Sequence, residues 1–238
     1  MTDSGPPRLP PVDPAAADAA LGSTLSPELL AGLLADGDEE LATWALGHSI
    51  AEIGRAETFE TLVAGAMALV GTRWRSGQWS IAEEHLASQT LMRALERVRP
   101  TVGPEGRIGP QAVLAAVSGE HHMIGLVCLD QVLEEAGWSV ANLGADVPAA
   151  DLALFVARHE ARLVALTASE MAGLESVVEA IAAVRAARAG AEPLAVMIGG
   201  RLAATPGLAD TLGVDWAGTS LTEAAAVAEG LAATIEGA

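Results

Sequence analysis

Ala112-Val113-Leu114-Ala115-Ala116-Val117 runs directly into Ser118-Gly119-Glu120-His121-His122-Met123-Ile124-Gly125. The first six residues are apolar and are followed at once by a turn signal, which reads as a short strand buried on both faces. The next eight leave the strand through Gly119, deliver one carboxylate and two imidazoles onto a loop, and enter a helical pattern near residue 123. The same alternation then repeats. β-prone runs at 139–143, 163–167, 194–198 and 214–217 are separated by helical stretches near 123–136, 149–160, 171–189 and 221–235. Five strands alternating with helices predict a parallel sheet covered on both faces. Ligands of such sheets bind beyond the carboxyl ends of the strands, where Glu120 and His122 fall.

Upstream the pattern is helical throughout. Ser26-Pro27-Glu28 is an N-cap followed by proline at the first helical position. Asp38-Glu39-Glu40 opens a second helix with acidic residues at the positive end of its dipole. Stretches 56–75 and 79–98 predict two longer helices, with Gly54 and Ser76-Gly77 as breaks. Short links between four helices predict an antiparallel bundle. The expected organisation is therefore α/β: a flexible tail at 1–24, a four-helix-bundle cap at 25–100, a Pro- and Gly-containing linker at 101–110, and a Rossmann-like five-stranded domain at 111–238.

Composition narrows the function. The net charge is −18, and all 13 basic residues are arginine. Such a surface repels phosphate backbones and anionic lipid, so neither nucleic acid nor membrane is an expected partner. Mean hydropathy is +0.36, yet Gly or a charge interrupts every apolar run well before the ~20 residues that cross a bilayer. No secretory leader pattern opens the chain. One cysteine, Cys128, excludes an internal disulfide and a cysteine zinc cluster. The expected location is cytoplasmic. The motifs point to ligand binding and not to an enzyme.

Two readings of the loop at 118–125 stand side by side. His122 is a metal ligand, Glu120 fixes its tautomer from two residues away, and Gly125 leaves room for a bulky ligand at the helix start. Alternatively the loop is polar, with two solvated histidines. In the helical half, Trp74 is followed after nine residues by Glu84-His85. Across a hairpin these ends approach, so an indole, a carboxylate and an imidazole are positioned to cap a planar cofactor. The alternative is a tryptophan packed at the hairpin beside two solvated residues.

Residues 110–236 resemble cobalamin-binding domains. Glu120-His121-His122-Met123-Ile124-Gly125 is similar to their Asp-x-His-x-x-Gly signature, with Glu120 in place of the aspartate. Thr167-Ala168-Ser169 resembles the Ser/Thr-x-Ser/Thr element that contacts the displaced dimethylbenzimidazole tail, and Gly199-Gly200 the pair that makes room for it. Leu143-Gly144-Ala145-Asp146-Val147-Pro148 resembles the second strand-to-helix turn. This resemblance implies cobalamin as cofactor and His122 as the lower cobalt ligand. Its binding residues would be Glu120, His122, Gly125, Thr167, Ser169, Gly199 and Gly200.

The Trp-x9-Glu-His pattern resembles the helical cap of cobalamin-dependent photoreceptors. That resemblance assigns Trp74, Glu84 and His85 to the upper-face adenosyl group of adenosylcobalamin. It implies a light sensor whose photolysis alters a protein interface, through self-association into a homo-oligomer or through a protein effector. Two departures stand out. No winged-helix DNA-binding domain is expected ahead of the bundle. Arg75 occupies the position of a histidine that ligates cobalt after photolysis, and arginine cannot replace it. The stand-alone members include photocobilins, which implies biliverdin as an optional second chromophore. Gly47, Ala51, Gly54, Gly65, Ala66 and Ala68 would leave it a groove; close helix packing explains the same residues equally. Trp44, His48, Arg55 and Arg73 are its candidate partners, and Cys128 is placed too far away for a thioether. The competing function is a corrinoid shuttle of a methyltransferase system, which shares the layout without the Trp-Glu-His pattern.

Overall fold

The computed structural model describes residues 25–100, 109–191 and 193–236. The expected tail at 1–24 and nearly all of the expected linker at 101–110 lie outside the described residues. The architecture is α/β, a helical N-terminal part followed by a five-stranded parallel sheet. It divides into two compact units, one comprising residues up to Gly54 together with Thr61–Val98, the other Arg55–Glu60 together with Arg99–Ala238.

The first unit is built on capped helices. In α1 (Pro27–Ala35) the Ser26 hydroxyl accepts the Leu29 N–H at 3.2 Å. In α2 (Glu39–Ile53) Asp38 accepts the Leu41 N–H at 3.0 Å, and Gly54 ends the helix at φ +86. A short α3 (Arg55–Thr58) passes through a π-helical turn, Phe59–Val63, into α4 (Ala64–Arg75). The stretch at 56–75 is therefore not one regular helix. Arg55 and Glu60 hydrogen-bond within the second unit, and the π-helical turn follows directly where the chain returns to the first. In α5 (Ile81–Arg97) Ser80 and Glu83 form a reciprocal capping box. Leu30, Leu34, Leu46, Leu91 and Leu95 are fully buried and form the core. Gly65 permits the approach of α1 to α4, since a Cβ there would lie 2.8 Å from Pro27 Cγ.

In the second unit the strands are β1 (Gln111–Ala116), β2 (Ser139–Asn142), β3 (Leu163–Thr167), β4 (Ala195–Gly199) and β5 (Trp216–Ala217). All pairings are parallel, in the order β2-β1-β3-β4-β5. The helices between them are α6 (Ile124–Glu135), α7 (Ala149–Arg158), α8 (Leu174–Ala187), α9 (Leu208–Leu212) and α10 (Leu221–Glu236). Alternate residues of β1 feed two cores. Val113 and Ala115 pack with Leu152, Val156, Val177 and Val184 of α7 and α8. Ala112 and Leu114 pack with Leu126 and Leu133 of α6 and Ala224 and Ala228 of α10. Both faces are apolar, as a covered parallel sheet requires. The strand order reverses between β1 and β3, and the helices that follow them, α6 and α8, cover opposite faces of the sheet, which opens a crevice at the carboxyl ends of the two strands.

Buried polar groups complete this unit. Arg55 Nη1 donates to Gln131 Oε1 at 2.9 Å, and Arg99 Nη2 pairs with Asp130 at 2.8 Å and Glu134 at 2.9 Å. Burial pushes the Asp130 carboxyl above its ordinary range. Glu60 caps α10 from far upstream, accepting from the Thr222 N–H at 3.0 Å, the Thr222 hydroxyl at 2.8 Å and the Ser220 hydroxyl at 3.0 Å.

Candidate functional site

The loop following β1 and the loop following β3 meet at the crevice. Glu120 is buried there, although it is ionisable. Its Oε1 accepts the His122 backbone N–H and faces the His122 ring Nδ1, both at 2.7 Å. Its Oε2 accepts the Ser169 backbone N–H. Burial alone would push this carboxyl up, but the hydrogen bonds from His122 and Ser169 outweigh it and hold Glu120 below the usual carboxylate range. Glu120 is therefore ionised at neutral pH and can only accept, which places the ring proton on Nδ1. The His122 side chain is 70% exposed. Its Nε2 lone pair points away from Glu120 and has no protein partner among the described residues. An exposed imidazole with its tautomer fixed by a buried carboxylate is a ready metal donor, and this donor chemistry fits a corrinoid cobalt.

The remaining crevice residues sit at the ends of β3 and β4. Thr167 is buried and Ser169 half-buried. Gly200 has φ +86, and a Cβ on it would lie 2.3 Å from the Ala168 carbonyl oxygen and 2.7 Å from Thr167 Oγ1. No other residue fits between these two loops. Gly199 is less constrained, 3.9 Å from the Leu166 carbonyl oxygen, and nothing lies within 4 Å of a Cβ on Gly125. The structure thus brings Glu120, His122 and Ser169 together, and separately Thr167 and Gly200. His121 is exposed. Asp146, in the turn after β2, was not singled out as a site residue, yet its carboxylate accepts the Gly119 N–H at 2.7 Å. Its sequence signal was an aspartate at a turn, the residue class that tolerates the left-handed conformation it adopts.

In the first unit, Trp74 lies in the last turn of α4 and Glu84 and His85 near the start of α5, at one end of the α4–α5 hairpin. Trp74 is 46% exposed, with Ile81 and Leu86 also exposed. Glu84 Oε2 and His85 Nδ1 are 2.5 Å apart, and the Ser88 hydroxyl donates to Glu84 Oε1 at 3.1 Å. Arg75 folds back onto its own helix, donating to Thr72 Oγ1 at 3.2 Å. Of the four candidate bilin partners, Trp44 and His48 stack with ring centroids 4.9 Å apart. Arg73 lies over the Trp79 ring at 4.7 Å. Arg55 is buried against Gln131 and so already engaged. Cys128 is buried in α6, and burial pushes its thiol up to about 12.

Residues 110–228 match the B12 binding domain family. The chain belongs to this family. A second B12 binding domain description matches residues 28–99, the helical part. A corrinoid is accordingly the ligand of the chain. Among relatives, the HTH-type transcriptional repressor CarA of Myxococcus xanthus is 46% identical over 72 residues, 30% of this chain and 25% of CarA. CarH of the same organism, also an HTH-type transcriptional repressor, is 33% identical over 115 residues, 48% of this chain and 38% of CarH. The chain therefore spans well under half of either repressor. The dimethylamine corrinoid protein of Methanosarcina barkeri is 27% identical over 188 residues, 76% of this chain and 85% of that protein. The solved monomethylamine corrinoid protein of Methanosarcina barkeri shares the fold with a TM-score of 0.67 at 16% identity, covering 85% of this chain and 96% of that one. Among the described residues no helix is long and apolar enough to cross a membrane.

Proposed function

We propose that this B12-binding chain is an adenosylcobalamin-dependent light sensor, with His122 as the lower axial ligand. The observation that carries the reading is the end of the α4–α5 hairpin. There a large indole, Trp74, is left exposed at the end of α4, and the first turns of α5 carry exposed Ile81 and Leu86 and a carboxylate–imidazole pair, Glu84 and His85. Exposed apolar surface of this kind marks a place where something binds. Trp74 would pack on the adenosyl group, with Glu84 accepting from it and His85 beside it. Glu120 holds the His122 proton on Nδ1 and keeps Nε2 available. Thr167, Ser169, Gly199 and Gly200 would receive the nucleotide tail, and Gly125 would leave space beside the ring. Bound adenosylcobalamin supplies a cobalt–carbon bond that green light breaks. Loss of the adenosyl group would leave Trp74 and Glu84 without their partner and change the surface they form. With a net charge of −18, that surface suits a protein effector or a second copy of the chain better than nucleic acid. The resemblance of the sequence pattern to photoreceptor caps and the identity with CarA support this reading. The stack of half-buried Trp44 on exposed His48 supports biliverdin as a second, non-covalent chromophore.

A second reading is a corrinoid shuttle of a methyltransferase system. It is favoured by the likeness to the dimethylamine corrinoid protein, which extends over most of both chains. One experiment separates the two. Protein loaded with adenosylcobalamin in the dark is illuminated with green light while absorbance and molecular mass are followed. A sensor bleaches, releases a nucleoside product and changes mass or partner binding. A shuttle keeps the same mass in light and dark and instead gives up a methyl group from methylcobalamin to an acceptor thiol in the presence of a methyltransferase.

A further inference from the structure

Asp146 holds the His122 loop from outside it. Its φ is +54, in the left-handed region that a residue with a side chain occupies at a cost. Strain of this kind persists where surrounding contacts impose it. Here the contacts are specific. Asp146 Oδ1 accepts the Gly119 N–H at 2.7 Å, and the Asp146 N–H donates to the Glu120 carbonyl at 3.0 Å. One residue therefore grips the Gly119–Glu120 dipeptide at both of its outward-facing backbone groups. Gly119 itself has φ +82, so this dipeptide is free to turn unless it is held. The flanking bonds come from the same turn: the Ala116 N–H donates to the Gly144 carbonyl at 2.9 Å and the Val147 N–H to the Ala116 carbonyl at 3.0 Å.

Glu120 can orient an imidazole only if its own backbone is fixed. We infer that Asp146 is a positioning residue for cobalt ligation, fixing Glu120 and, through it, the ring of His122, without touching the imidazole itself. This rests on His122 being the axial ligand. It goes further in placing part of the ligand geometry in the turn after β2, which contributes no ligand atom.

Three variants test it with adenosylcobalamin as the probe. Asp146→Gly keeps the left-handed backbone and removes the acceptor. Asp146→Asn keeps an acceptor and tolerates the conformation. His122→Ala removes the ligand. Affinity should fall about tenfold or more in Asp146→Gly, within the range for groups that orient a metal ligand. Its absorption spectrum should shift toward cobalamin without a lower imidazole, while Asp146→Asn stays close to wild type. In protein without cobalamin, the Gly119 amide should exchange with deuterium faster in the glycine variant and not in the asparagine one. Should Asp146→Gly fold poorly, Asp146→Ser, whose shorter side chain falls short of Gly119, should show the same spectral shift. Wild-type affinity and spectrum in Asp146→Gly, alongside loss of the imidazole-ligated spectrum in His122→Ala, overturns the role of Asp146 alone. A wild-type spectrum in His122→Ala overturns the ligand assignment beneath it, and the proposal with it.

Discussion

The chain carries two carboxylate–histidine pairs that look alike in isolation. Glu120 and His122 meet at 2.7 Å, Glu84 and His85 at 2.5 Å, and each histidine side chain is 70% exposed. Their settings differ. Glu120 is 9% exposed and receives the His122 N–H, the His122 ring and the Ser169 N–H from two different strand ends. Glu84 is 26% exposed and is met by its own helix neighbours, His85 and Ser88. Adjacent residues on a helix do not face one another, so Glu84 and His85 meet only through a chosen pair of rotamers. An exposed pair of this kind contributes about 0–1 kcal/mol. Contact distance says little about how firmly an imidazole is held; burial and the independence of the donors say more. One pair suits a ligand that stays fixed, the other a surface that rearranges.

The largest expected effect is at His122. His122→Ala should abolish the imidazole-ligated cobalamin spectrum and weaken cobalamin retention by more than tenfold; the same spectrum in the variant would erase the contrast between the pairs. Next comes the carboxylate behind it. Glu120→Gln should weaken binding about 10- to 100-fold, as removal of a ligand-orienting group does. It should also change the acid response. The folded-state pKa of Glu120 lies below its ordinary value, so its contribution to stability is present above the unfolded pKa and is lost as pH falls through the folded one. Acid titration of unfolding free energy should therefore be shallower in Glu120→Gln than in wild type over that window. The smallest effect is expected at the exposed pair. Glu84→Gln should change the stability of cobalamin-free protein by less than about 1 kcal/mol. A loss several times larger in chemical denaturation would mean that this pair is as firmly embedded as the other.

Much of this was legible in the sequence. The strand at 163–167 has the predicted bounds, and the capped starts of α1 and α2 lie where Ser26 and Asp38 placed them, because periodicity and capping are local signals. The loop motif put Glu120 and His122 at a strand end, but the third anchor, the Ser169 backbone N–H, comes from 49 residues away, and no local pattern announces a backbone donor. Expectation and structure part where tertiary contacts decide. The strand expected at 214–217 shortens to Trp216–Ala217. The stretch between Gly200 and Gly213 holds a 3-10 turn and the short α9, too brief to show a helical period. Arg55 had the look of a ligand partner, yet it is a buried structural cation; its charge was visible in the sequence, and its neighbour Gln131 was not.

The grouping of Arg55–Glu60 with the sheet has a consequence for dissecting the gene. The Rossmann-like unit is not encoded as one uninterrupted stretch. The hydroxyl and amide groups that open α10, at Ser220 and Thr222, are satisfied by a side chain encoded 160 and 162 positions earlier. A fragment cut to begin at the first strand would retain every strand and the candidate cobalt ligand, His122. It would still lack Glu60, which caps its last helix, and Arg55, which donates to Gln131. The natural boundary of this domain is drawn by contacts, and it runs through the middle of what the linear order presents as the other domain.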